Sequence, residues 1–175
     1  MTDKQELLKN SEIEELSNEL TYRRYLMNTG KIGKLFQNMT IPEYIALHTI
    51  EMESRKSSIY SGRTYLKDLS ERMQLTIRQI SKMVGRLKER GLVTWSHDGD
   101  GSEGTYVMIT EAGEKLLLEQ EEILKKYYEK VIEKFGKQNL IGLLRLMKQL
   151  ETVMNGEIEE IEKTELNDEM DGIDE

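Results

Sequence analysis

Between residues 77 and 90 the apolar side chains Ile80, Met83, Val84 and Leu87 recur at the spacing of one helix face. The opposite face then presents Arg78, Gln79, Ser81, Lys82, Gly85 and Arg86. Thr76-Ile77-Arg78-Gln79 opens this helix as a capping box, in which hydroxyl and amide satisfy each other's exposed backbone donors. Gly91 closes it. Just upstream, residues 64–73 read as a short helix with Leu66, Leu69 and Met73 on one side, and Gln74-Leu75 make the turn. Downstream, the apolar runs 92–96 and 105–109 read as two strands, and the turn formers of 97–104 join them in a hairpin. Helix, turn, helix, hairpin is the order of a winged helix-turn-helix.

Helical periodicity continues on both sides of this block. A first helix is predicted over 12–37, with Ile13, Leu16, Leu20, Tyr25, Leu26 and Leu35 on its apolar side and bends at Gly30 and Gly33. A second begins at Thr40-Ile41-Pro42-Glu43, where a capping hydroxyl, a first-turn proline and Glu43 make another capping box. A polar loop, 53–62, ends it. Beyond the hairpin, helices are predicted over 110–135 and 138–159, and residues 159–175 read as an acidic, disordered tail.

Composition narrows the function classes. The chain has 175 residues, 33% of them charged, with one proline and no cysteine. The missing cysteines exclude disulfides, thiolate metal sites and thiol-based sensing. No apolar run approaches the roughly 20 residues a membrane span needs, and the polar stretch 1–11 is unlike a signal peptide, so a cytoplasmic protein is expected. The net charge of -8 is unevenly spread. Residues 55–95 hold ten basic side chains against three acidic ones, whereas residues 151–175 hold eleven carboxylates against Lys163 alone. That asymmetry marks a basic contact region and an acidic tail, the plainer alternative being two solvated faces.

From residue 12 to 155 the sequence resembles the MarR family of winged helix regulators. The segment that carries the resemblance runs from Leu66-Lys-Asp-Leu-Ser-Glu-Arg-Met to Leu87-Lys-Glu-Arg-Gly91-Leu-Val, then Ile109-Thr110-Glu111-Ala112-Gly113. The resemblance implies a mainly α fold with a small β-hairpin wing, a winged helix-turn-helix with N- and C-terminal dimerisation helices. It implies a dimerisation helix over 1–40, a DNA-binding lobe over 41–110, C-terminal dimerisation helices over 111–158 and the tail over 159–175. The implied protein is a bacterial homodimer that places two recognition helices in successive major grooves of a near-palindromic operator, and a ligand-responsive repressor. One feature departs from the family: where its wing carries Asp-x-Arg, this chain reads Gly101-Ser102-Glu103, with Asp98 and Asp100 adding negative charge. Phosphate would repel such a wing, so sequence reading is expected from the helix.

Arginine and lysine can bridge guanine O6 and N7, and glutamine adenine N6 and N7. Arg78, Gln79, Ser81 and Lys82 are therefore the expected base readers, with Thr76 at the helix N-terminus near phosphate. Arg86, Arg63, Lys67 and Arg55 are expected over the DNA backbone. A small-molecule effector is implied by the resemblance, with Tyr22, Tyr25, Tyr44 and His48 as candidate lining residues or, on the plainer reading, as core. His48 and His97 lie on different elements, so no metal site or cofactor is expected. No phosphate loop, nucleophile elbow or metal motif points to an enzyme. The competing function is a winged-helix protein interaction module that has lost DNA binding. A further expectation is that the acidic tail competes with DNA for the basic face.

Overall fold

The computed structural model describes the backbone of residues 2–55, 62–97 and 104–171, and side chains within these from residue 12 to 164. The chain divides into two compact units, Met1–Ile123 and Leu124–Glu175.

The first unit opens with α1 (Thr2–Asn28), on which every described side chain is exposed. The sequence predicts one bent helix to residue 37. Instead, the backbone at Gly30 turns extended (φ −57°, ψ 156°), the α-helix stops, and Lys31–Leu35 form a separate 3-10 turn. Helix α2 (Ile41–Ser54) starts at the expected capping box: Thr40 Oγ1 accepts from Glu43 N at 3.4 Å, and Glu43 Oε2 accepts from Thr40 N at 2.8 Å.

Residues 64–65 correct the sequence reading. Expected to begin a helix, they form strand β1 (Thr64–Tyr65), and α3 (Leu66–Met73) starts after it. Helix α4 (Ile77–Glu89) follows, then β2 (Val93–His97) and β3 (Thr105–Ile109). The hairpin becomes a three-stranded antiparallel sheet of order β1-β3-β2, with Thr64 opposite Val107 and Trp95 opposite the same valine. A two-residue strand has no periodicity to read. It exists because β3 offers a second edge whose amides and carbonyls need partners.

One apolar core joins these elements. Leu47 and Ile50 of α2, Leu69 of α3, the α4 stripe Ile80, Met83, Val84 and Leu87, and Val107 of β3 are all buried together. Each such side chain contributes about 1.5–3 kcal/mol by leaving water. Leu117, from the first half of α5 (Glu111–Phe135), joins the same cluster. This core fixes α4 with its apolar stripe inward, so its polar residues face outward or toward its two flanks.

In the second unit, α5 ends at Phe135 and Gly136 takes a left-handed conformation (φ +94°) before α6 (Lys137–Asp171). A disordered tail was expected from residue 159, but the helix runs on to Asp171. Val153, Met154, Ile158 and Ile161 prolong the apolar stripe at helical spacing, and Glu159 stands four residues before Lys163, the favourable order for a helical ion pair. No helix among the described residues is long and apolar enough to cross a membrane.

Candidate nucleic-acid interface

Helix α4 is held at both ends. At its start, Thr76 Oγ1 accepts from Gln79 N at 3.3 Å, while Gln79 Oε1 accepts from Thr76 N and from Thr76 Oγ1, each at 2.9 Å. The preceding turn is made by Gln74, the one non-glycine residue with positive φ (52°) among those described, and locked by Ser70 Oγ donating to Leu75 O at 2.5 Å. At its end, Gly91 (φ +71°) reverses the chain into β2.

On this helix Arg78, Lys82 and Glu89 stand opposite the buried stripe. Arg78 and Lys82 are exposed and make no ion pair with any described residue. Two free cations four residues apart, beside a capped helix N-terminus, form a compact positive surface that can reach into a groove. Ser81 is half-buried on one flank. Gln79 lies on the other flank and is already committed, because its Oε1 serves the cap. A bidentate contact to adenine needs that same oxygen, so reading by Gln79 competes with capping.

The remaining basic candidates are partnered. Arg86 Nε lies 3.6 Å from Glu43 Oε1, and Arg90 Nη1 lies 3.7 Å from Glu43 Oε2. Arg90 Nη2 also donates to Asn38 O. Lys67 pairs with Glu71 at 3.9 Å, and Arg55 with Glu51 on α2. The Arg63 guanidinium sits 4.5 Å above the Tyr106 ring. Glu43 is the electrostatic hub that the sequence reading missed. Burial pushes its pKa up, but hydrogen bonds from the Thr40 amide and hydroxyl, with Arg90 and Arg86 nearby, outweigh this and hold it below the usual carboxylate value.

The four effector candidates separate into two groups. Tyr44 stacks edge-on to Phe36 at 5.6 Å and lies 6.0 Å from the His48 ring, whose Nε2 is 3.7 Å from Glu121 Oε1. Tyr22 and Tyr25 stand exposed on α1 and are not part of that ring group. Glu121 also lines a cleft with Glu51, Ser54, Arg55, Glu114 and Leu117. Among the described residues no three side chains of His, Asp or Glu gather into a metal site. The acidic wing residues Asp98, Asp100 and Glu103 lie outside the described residues.

No family model and no curated protein matches the sequence. Solved structures do. A MarR family regulator from Neisseria meningitidis is similar over 85% of this chain and 97% of its own, with 19% identity and a TM-score of 0.61. A mutant MarR from E. coli, complexed with operator DNA, is similar over 75% of this chain and 93% of its own, with 14% identity and a TM-score of 0.62. BpsR from Bordetella bronchiseptica, whose DNA binding is regulated by 6-hydroxynicotinic acid, covers 78% of this chain and 98% of its own, with 17% identity and a TM-score of 0.60. The chain has the winged-helix fold of the MarR regulators, mostly helical with a small antiparallel sheet.

Proposed function

We propose that this chain is a DNA-binding transcription regulator of the bacterial cytoplasm, a repressor acting as a homodimer on a near-palindromic operator and responsive to a small-molecule effector. The observation that carries this reading is the outward face of α4, where Arg78 and Lys82 are exposed and form no ion pair with any described residue, beside a capped N-terminus. In this reading both cations contact guanine edges, each good bidentate contact contributing about 1–3 kcal/mol of discrimination. Ser81 and Thr76 lie beside them, Thr76 toward phosphate. Arg63 and Lys67 border the same lobe, and Tyr44 and His48 line the effector site. Fold neighbours bound to operator DNA or regulated by a small aromatic acid support both parts of the reading.

The homodimer is supported by the large apolar side chains that α1 and α6 leave exposed. On α1, Leu16 is 64% exposed, and on α6 so are Leu144 (56%) and Val153 (60%). A dimer of two-fold symmetry would present two copies of α4 to half-sites about 10 base pairs apart.

The test is selection from a randomised duplex library, read by fluorescence anisotropy, with Arg78→Ala/Lys82→Ala beside the wild type. A near-palindrome lost in the double variant supports the reading. If no sequence is enriched and the variant binds as weakly as wild type, the chain is a protein interaction module instead.

A further inference from the structure

Arg86 is on the flank of α4 that turns toward the start of α2, together with Gln79 and Arg90. Its partner there, Glu43, has a side chain only 7% exposed. The two carboxylate oxygens are divided between tasks. Oε2 accepts from Thr40 N at 2.8 Å and from Thr40 Oγ1 at 3.1 Å, and faces Arg90. Oε1 faces Arg86. Removing a cation from a buried carboxylate is costly, since water is not there to replace it. Arg86 is half exposed and meets this oxygen through its Nε, so a phosphate that draws the guanidinium outward competes with Glu43 for it.

We propose that Glu43 is a positioning residue that keeps Arg86 off the DNA backbone and uses it to clamp α4 against α2. This inference rests on the DNA-binding reading above. Its consequence is a smaller count of phosphate contacts than the basic residues of α4 suggest. Binding to any duplex is then weaker and less dependent on salt, because each phosphate contact releases counterions. Arg78 and Lys82 remain the groove-facing cations.

The experiment measures affinity for a random-sequence duplex across a salt series, using full-length wild type, Arg86→Ala, Glu43→Gln and the double variant. Glutamine preserves the capping box, since it serves that position as well as glutamate does. The expected result is equal slopes of log affinity against log salt for wild type and Arg86→Ala. Glu43→Gln should be steeper by about 0.9, so that a fourfold rise in salt costs it roughly three times more affinity than wild type. The double variant should return to the wild-type slope. A shallower slope for Arg86→Ala than for wild type, or an unchanged one for Glu43→Gln, overturns the proposal. If Glu43→Gln fails to fold, the comparison of wild type with Arg86→Ala decides alone. Wild type that binds no duplex even at low salt overturns the DNA-binding reading and this inference together, whereas binding with the wrong slopes overturns this inference only.

Discussion

Gly113 lies against the backbone of Leu92: a Cβ at position 113 would stand 2.2 Å from the Leu92 carbonyl oxygen and 2.8 Å from Ile109 Cγ1. The contact is part of a small lock between the end of α4 and the start of α5. Thr110 donates its amide to Leu92 O at 3.1 Å and its hydroxyl to Gly91 O at 2.7 Å, while the same hydroxyl accepts from Gly113 N at 3.1 Å. The Thr-Glu-Ala-Gly motif is thus a device for seating α5 on the turn after α4. Gly113→Ala should cost about 1–3 kcal/mol, as overpacking against an immovable backbone does. Gly142→Ala is its control: that glycine is helical with nothing within 4 Å of the added carbon, so alanine there should stabilise by about 0.5–1 kcal/mol. Urea unfolding of the two variants should move the midpoint in opposite directions.

Thr64 presents the opposite problem, a buried group with no partner among the described residues. It is 1% exposed, and its Oγ1 makes no hydrogen bond with any described residue. An unsatisfied buried hydroxyl costs about 1–3 kcal/mol, so Thr64→Val should stabilise the protein by about 1 kcal/mol. Thr64→Ser should destabilise it, because the hydroxyl remains and the methyl leaves a void. Thermal unfolding of the pair checks this; a valine variant that melts below wild type would show that the hydroxyl has a role.

Local signals were readable in the sequence where neighbours in the chain are neighbours in space. The Thr76–Gln79 box and the stripe of Ile80, Met83, Val84 and Leu87 need only one helix turn to declare themselves, and all four apolar residues are buried. The pairing of Thr64 with Val107 has no such signal, because the partner strand lies far along the chain. Neither has the Glu43 hub: ion pairs between helices depend on how the helices cross, and nothing in the sequence near Glu43 points to Arg86 or Arg90. The capping role of Gln79 was legible, yet the same side chain was also expected to read adenine. Only the geometry shows that one oxygen is asked to do both. The acidic end of α6 misled in another way, since its charge suggested disorder while its isoleucines kept helical spacing.

The Glu43 hub also fixes a pH dependence. The carboxyl has a folded-state pKa below its ordinary value of 4.5. A group shifted downward stabilises the fold fully above its unfolded pKa, and that stabilisation is lost as pH falls through the folded one. Wild type should therefore lose melting temperature on acidification below about pH 5 more steeply than Glu43→Gln, which has no proton to bind there. Melting curves collected from neutral pH downward should converge as the carboxylate is neutralised. Parallel curves would mean that Thr40, Arg86 and Arg90 do not hold the charge.

A last prediction concerns the apolar surface of α6. Leu140, Leu143, Met147, Leu150 and Met154 recur at spacings of three and four, the seam by which two helices interlock. Leu143, Met147 and Leu150 are each exposed by about two fifths. In the homodimer proposed above, a second copy of the chain would bring equivalent unburied surface on its own α6 and α1. Introducing charge there, as in Leu143→Glu/Met147→Glu, would place two carboxylates where the partner must desolvate them. Sedimentation velocity should show wild type at twice the mass of the chain and the variant at the mass of one. Because α4 is untouched, the variant's single lobe should keep salt-dependent binding to short duplexes while losing any preference for paired half-sites. A variant that still sediments as a dimer would place the self-association surface elsewhere, with α1 the next face to charge.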